Sequence, residues 1–328
     1  MEDCNSKQHL SIDQIFNTSD FNDEGYNRPR WCNSGSNYTT LRLTMVNSNN
    51  TNQIDLTSTT TADSDSRNTA IHEIIHHDAV TLEENVLVSS SQLIPTDTST
   101  TNTTTNTTPK TPISIDDYIV SNDMKYVLIF TNAQKVWRLK TMGSYYILTL
   151  PTATSPYSLV PLGRNIHSNS NIHSNNSNIH SSDSNSNSVN ELKYATFSPD
   201  YTKVAYVYKN NIYSEEIFTN IITQLTYDGS DTIINGNFDW VHEEEFQLYR
   251  GYKWSYDSKL ICYWQLDQGN VQKVHIVNNT NSLYPVVTSI PYPKCGQENA
   301  VVRLGLVSVP SNNNNTHNNT NTPPPPPA

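Results

Sequence analysis

Apolar residues in this chain fall in short runs rather than at helical spacing. Five runs stand out: Tyr126-Val127-Leu128-Ile129-Phe130, Tyr145-Tyr146-Ile147-Leu148, Val204-Ala205-Tyr206-Val207-Tyr208, Leu260-Ile261-Cys262-Tyr263-Trp264 and Val301-Val302-Arg303-Leu304-Gly305-Leu306-Val307. Each is rich in β-branched or aromatic residues and bounded by turn formers, the pattern of a strand packing on a pleated surface. No long segment repeats its apolar residues at the helical period. The pattern predicts an all-β chain.

Between the runs lie tracts of Asn, Ser and Thr at about 47–69, 96–111 and 165–190, with an Asn- and Pro-rich tail at 311–328. Such tracts bury too little apolar surface to offset the entropy of ordering them, and each can be removed without cutting a hydrophobic strand. They are expected to be long disordered insertions into a folding region of 11–310, after a disordered start at 1–10. The third repeats Asn-Ile-His-Ser from Asn165, Asn171 and Asn178, which reads as an expanded surface loop rather than a metal site.

A second repeat carries more architectural information. An apolar residue, Ser, any residue, Asp and then a strand occur at Val120-Ser121-Asn122-Asp123, Phe197-Ser198-Pro199-Asp200 and Trp254-Ser255-Tyr256-Asp257. A degenerate copy, Trp31-Cys32-Asn33-Ser34, precedes Tyr38-Thr39-Thr40-Leu41-Arg42-Leu43. Without the insertions the copies are spaced by about 50 residues, the size of one propeller blade. Ser and Asp suit the repeat because their side chains bond nearby backbone amides and fix a tight entry into a strand. The expectation is a partial β-propeller of about four blades, each a four-stranded antiparallel sheet. A β-sandwich is the competing reading, and it offers no reason for the repeat.

Charge and candidate chemistry narrow the function. With 20 Lys and Arg against 31 Asp and Glu, a net charge of −11 and no basic stripe, nucleic acid is an unsuitable partner. The four cysteines, Cys4, Cys32, Cys262 and Cys295, are widely spaced and are expected as reduced thiols. No signal peptide or membrane-spanning run is visible, which sets a cytoplasmic expectation. His72-Glu73-Ile74-Ile75-His76 matches the zinc-protease pattern, but that chemistry needs a helix. Here the surroundings predict an outer strand of the first blade through Ile74 and Ile75, a turn around Leu82–Asn85 and a second strand. There is no G-x-S-x-G elbow, phosphate-binding glycine loop or C-x-x-C knuckle, so no catalytic residue, metal or cofactor is assigned.

The acidic segment Asp239-Trp240-Val241-His242-Glu243-Glu244-Glu245-Phe246 is different in kind. Adjacent carboxylates raise one another's energy unless a cation joins them, and a primary ammonium has three donors that two carboxylates can share. A site for a free amino terminus and an inert exposed acidic turn both satisfy that spacing.

These residues resemble the dipeptidyl peptidase IV family. The similarity runs from Ile221-Ile222-Thr223-Gln224-Leu225-Thr226-Tyr227-Asp228-Gly229 through the acidic segment and Trp254-Ser255-Tyr256-Asp257-Ser258-Lys259 to Pro291-Tyr292-Pro293-Lys294. Upstream it takes in Phe197-Ser198-Pro199-Asp200, Asn210-Asn211-Ile212-Tyr213 and Ser11-Ile12-Asp13-Gln14-Ile15-Phe16. The resemblance implies the substrate-docking propeller of a serine exopeptidase that releases X-Pro or X-Ala dipeptides. By position, Glu244 and Glu245 would bind the ammonium of the peptide N-terminus, with Glu243, His242, Asp239 and Trp240 in support. Arg138, in Gln134-Lys135-Val136-Trp137-Arg138, would meet a substrate carbonyl with its forked donors. His242 stands where the family has an aromatic such as Tyr, and an imidazole there would make the acidic pocket responsive to pH.

The family's α/β-hydrolase domain and its Ser, Asp and His have no counterpart in this sequence, so the chain is expected to hold a substrate's end without cutting it. Open blade edges would then call for a hydrolase-domain chain or a second copy as partner. The alternative is a non-catalytic propeller-type binding module or pseudoenzyme fragment whose polyproline tail recruits partners.

Overall fold

The computed structural model describes residues 29–32, 35–47, 54–55, 68–95, 111–153, 155–164, 166, 189–280 and 282–310. The expected disordered start, the segment Ser11–Phe16, Cys4, the Asn-Ile-His-Ser repeat, most of the three inserted tracts and the tail at 311–328 lie outside the described residues. The chain forms two compact units. The described residues of Met1–Gln134, Gly143–Arg164 and His180–Asn190 make the first, and those of Lys135–Met142, Asn165–Ile179 and Glu191–Ala328 the second.

The first unit contains β1 (Arg30–Cys32), β2 (Asn37–Asn47), β3 (Ile54–Asp55), β4 (Asn68–Asp78) and β5 (Glu84–Val88). They form an antiparallel sheet in the order β1-β2-β4-β5, with β3 also paired to β2. After it come β6 (Asp117–Val120), β7 (Tyr126–Lys135), β8 (Lys140–Thr149) and β9 (Ser158–Pro161), each paired with the next. Ile74, Val88, Leu93, Tyr118, Val127, Ile129, Leu148 and Leu159 share one buried core, so the two sheets of this unit bury their apolar faces together.

β4 corrects the expectation of an outer strand, since it lies between β2 and β5. The turn after it also comes earlier than Leu82–Asn85: the Asp78 carboxylate accepts the backbone N–H groups of Val80 and Thr81, both at 2.8 Å, and β5 begins at Glu84. His72 and His76 are four residues apart on this extended strand, about 13 Å, which is too far to share one ion. The Nδ1 of His72 accepts the backbone N–H of Ile115 at 2.9 Å, and burial lowers its pKa.

The second unit opens with β10 (Leu192–Phe197), β11 (Lys203–Tyr208), β12 (Asn211–Glu216) and β13 (Ile222–Gln224), again paired in sequence order. There follow β14 (Ile233–Asn235), helix α1 (Trp240–Phe246), β15 (Tyr252–Trp254), β16 (Leu260–Asp267), β17 (Lys273–Asn278), β18 (Val286–Pro291) and β19 (Val301–Ser308). β19 pairs with β16 along its whole length, so β14 and β15 lie in tandem on the other edge of β16. This sheet is therefore not a simple four-strand meander, and β17–β18 form a separate hairpin. Ala205, Val207, Ile212, Leu225, Tyr252 and Ile261 form the larger core of the unit. Among the described residues no helix is long and apolar enough to cross a membrane, and Cys32, Cys262 and Cys295 are free thiols.

The Ser-x-Asp repeat is one turn built three times. Ser121, Ser198 and Ser255 each donate to the aspartate two residues on, at 2.7, 2.6 and 2.6 Å. Each hydroxyl oxygen also accepts the first N–H of the following strand, from Tyr126, Lys203 and Leu260 at 2.9, 3.0 and 2.9 Å. The residue immediately after each aspartate is left-handed: Met124, Tyr201 and Ser258 have φ of 56°, 55° and 60°. The side-chain bonds therefore hold a backbone shape that non-glycine residues seldom adopt. Asn33 and Ser34 of the degenerate copy lie outside the described residues.

Two outcomes test this turn. Ser198 is fully buried, so Ser198→Ala, which leaves the Lys203 N–H and the Asp200 carboxylate without that partner, should cost about 1–3 kcal/mol in urea denaturation. At Asp200, burial pushes the carboxyl upward, but hydrogen bonds from Ser198 and Thr202 outweigh it and the pKa is lowered. A lowered carboxyl stabilises the fold above its unfolded pKa, near about 4, and loses that contribution as pH falls. The melting temperature should drop more gently on acidification in Ser198→Ala than in the parent.

Candidate functional site

The acidic segment is a helix. Asp239 caps it by accepting the N–H of His242 at 2.9 Å, and the first intrahelical bond runs from Glu243 N–H to Asp239 O at 3.0 Å. Gln247, left-handed at φ 57°, ends it, and the Leu248 N–H returns to His242 O at 3.1 Å. The chain enters and leaves through close contacts that need glycine. A Cβ on Gly236, itself at φ 74°, would lie 2.7 Å from Ile212 Cγ1, and one on Gly251 would lie 2.9 Å from the Asn237 nitrogen. β14 is also held by a polar network, in which Asn235 Nδ2 donates to Asp228 at 2.9 Å and Gln265 Nε2 donates to both Asp228 and Asn235, at 2.8 and 2.9 Å.

Successive residues of a helix point about 100° apart, so the three glutamates face three ways. Glu243 turns inward and is 5% exposed. Glu244 turns sideways, with a side chain only 7% exposed, and Glu245 faces solvent. Arg138 lies at the tip of the β7–β8 hairpin, where Val136 N–H bonds Leu139 O at 3.1 Å, and this tip belongs to the second unit. Its backbone N–H donates to Glu244 Oε1 at 2.9 Å and its Nε lies 3.0 Å from Oε2. Both oxygens of Glu244 are thus occupied, while the Arg138 side chain remains 79% exposed. An exposed carboxylate beside this pair suits a compact cation, and the outer guanidinium N–H groups suit an acceptor oxygen.

The supporting residues are fixed around the helix. Trp240 meets Tyr292 edge-on with ring centroids 5.2 Å apart. The His242 ring lies between Phe238 and Phe246, at 5.9 and 5.8 Å, and its Nδ1 is 2.6 Å from Asp239 Oδ1. The imidazole therefore backs the helix cap.

Two residues were not foreseen. Lys193 and Tyr194 on β10 both act on Glu243: burial raises the Glu243 carboxyl, the Lys193 charge opposes that rise, Glu244 adds to it, and a hydrogen bond from the Tyr194 hydroxyl opposes it. Burial lowers the Lys193 pKa and raises that of Tyr194. No linear motif marks them, since both lie on β10, far from the helix in sequence.

Comparison with known proteins follows the same residues. The family model for the dipeptidyl peptidase IV (DPP IV) N-terminal region matches residues 121–326. Mouse prolyl endopeptidase FAP is 29% identical over 199 residues, 60% of this chain and 22% of that protein. Dipeptidyl aminopeptidase B of Saccharomyces cerevisiae is 30% identical over 202 residues, 60% of this chain and 21% of that protein. The chain thus spans about a fifth of the length of these relatives. The crystal structure of dipeptidyl peptidase 4 from Porphyromonas gingivalis superposes with a TM-score of 0.62 at 20% identity, covering 91% of this chain and 33% of that one, a likeness of fold. With the family model matched from the first Ser-x-Asp turn through helix α1 to the end of β19, the chain belongs to the dipeptidyl peptidase IV family, in its N-terminal region.

Proposed function

We propose that this chain is the substrate-recognition part of a dipeptidyl-peptidase-IV-like serine exopeptidase and that its antiparallel sheets build blades of a β-propeller. On this reading Glu244 and Glu245 share the ammonium of a peptide's free N-terminus. Arg138 holds Glu244 in place and turns its outer N–H groups toward a carbonyl of the same peptide. The single observation that carries the reading is the contact of Arg138 with both oxygens of Glu244, next to the exposed Glu245.

The physical logic is that of a ruler. An ammonium bound by two carboxylates accepts a terminus and rejects an internal residue, whose amide nitrogen is neutral and lacks the extra donors. A carbonyl contact from the same arginine sets the direction in which the peptide leaves. The bond cleavage of such an enzyme is acyl transfer through an activated serine, for which no residue of this chain is assigned.

The test is a titration of the chain with a Gly-Pro peptide and with the same peptide acetylated at its N-terminus. The free peptide should bind at least about tenfold more tightly, a difference of roughly 1.4 kcal/mol. Glu245→Gln should remove most of that preference while leaving the melting temperature near the parent's, because Glu245 is exposed. Equal binding of the two peptides to the parent chain would overturn the reading.

A further inference from the structure

We propose that the cleft where two of the Ser-x-Asp turns meet is a binding site for a small carboxylate, received by the ammonium of Lys203 with Lys259 beside it. The site is separate from helix α1 and does not rest on the function proposed above.

The repeated turn builds the cleft. Within the second unit the turn after β10 touches the turn after β15, since the Asp200 N–H donates to Ser258 Oγ at 3.1 Å, and Ser258 is buried. The end of β19 closes one side: Ser308 pairs with Leu260, and the Val309 N–H donates to Lys259 O at 2.8 Å. Between these pieces lies a cavity of about 490 Å³ lined by Asp200, Lys203, Asp257, Lys259, Leu260 and Val309. Small-molecule sites are of this size, and this one joins charged groups to an apolar wall. It sits at the start of β16. The backbone bonds of Gly236 and Gly251, which hold the approach to helix α1, are made to Trp264, four residues on, or about 13 Å along the strand.

Lys203 is the group out of balance. It is 9% exposed, although lysine is almost never buried without a partner. Among the described residues its ammonium makes no ion pair and no hydrogen bond. Its cross-strand neighbour Glu216 gives an oxygen to the Thr219 hydroxyl instead, at 2.7 Å. The two aspartates of the cleft are held by their own turns. Asp200 Oδ1 accepts the Ser198 hydroxyl and the Thr202 N–H at 2.6 and 3.1 Å, and Asp257 Oδ1 accepts the Ser255 hydroxyl and the Lys259 N–H at 2.6 and 3.2 Å.

A cation taken out of water and left without an anion is a cost to the fold, and an oxyanion entering the cleft cancels it. Exposed Lys259 adds a second cation to the same lining. With Asp200 and Asp257 the charges of the lining sum to zero, so a ligand with one negative charge is favoured over a dianion, which the aspartates repel more strongly. Leu260 and buried Val309 then offer hydrocarbon contact to a carbon chain behind the head group. Together these features select an aliphatic carboxylate.

The experiment is a titration of the full chain with sodium butyrate and with sodium phosphate, against sodium chloride at equal ionic strength, followed by NMR of the butyrate methyl and of phosphorus. Butyrate should bind saturably and more tightly than phosphate. Lys203→Met, close to lysine in shape but uncharged, should weaken butyrate about tenfold, and Lys259→Met about threefold. No saturable butyrate binding to the parent, butyrate binding unchanged in Lys203→Met, or phosphate bound more tightly than butyrate would each overturn the assignment. Should Lys203→Met fail to fold, Lys259→Met carries the test, because Lys259 is exposed and its replacement leaves the core intact. Unchanged butyrate binding in that variant would then overturn the proposal.

Discussion

The cap that Asp239 places on helix α1 is the interaction on which the site depends. A seven-residue helix is too short to be stable by propensity, since forming its first turn orders several residues for one hydrogen bond. It persists because its start is fixed by the Asp239 carboxylate, its end by the left-handed Gln247, and its approach by the close packing of Gly236 and Gly251. Once the start is fixed, the helical advance decides which glutamate faces the interior, which faces Arg138 and which faces solvent. A shift of one residue would rotate every carboxylate by about 100° and dissolve the arrangement.

The sheets supply the frame by a different economy of means. Each strand entry marked by Ser and Asp uses one hydroxyl as both donor and acceptor, and one carboxylate to receive it. A left-handed residue follows at the same position in all three turns. The turns also connect neighbouring sheets within the second unit, where the Asp200 N–H donates to Ser258 Oγ at 3.1 Å. Local turn chemistry thus sets the spacing between β11 and β16, the strands that carry much of the larger core.

Much of this was legible in the chain. The five apolar runs became β7, β8, β11, β16 and β19, because burial on a sheet selects the same β-branched and aromatic residues that a reader can count. The Ser-x-Asp repeat was legible because its bonds are local. Helix α1 was not, for seven residues make too few turns to show a period, and its three glutamates looked like a turn. β4 was assigned as a strand but misplaced in its sheet, since pairing partners are set by contacts far along the chain. A bulge in β10 at Tyr194 left no trace in the sequence either. It depends on the match of two strands and on the Tyr252 hydroxyl beneath, none of which is a property of residues 193–196 alone.

On the proposed function, the Arg138–Glu244 contact separates stability from recognition. With its side chain 79% exposed, Arg138 gains little net stability from an ion pair, because water screens the attraction and an ordered long side chain loses entropy. What the contact provides is orientation. A backbone N–H and a guanidinium Nε from one residue grip both oxygens of one carboxylate, which ties the hairpin tip to the helix. The cost of ordering Glu244 is met before any ligand arrives, and a ligand then gives up less of its binding energy to arrange the site. Buried Glu243 carries the opposite balance: its burial raises its pKa, and the charge of Lys193 opposes that rise. The helix is therefore oriented by the Arg138–Glu244 contact, while the buried Glu243 carboxylate is a cost that the fold carries.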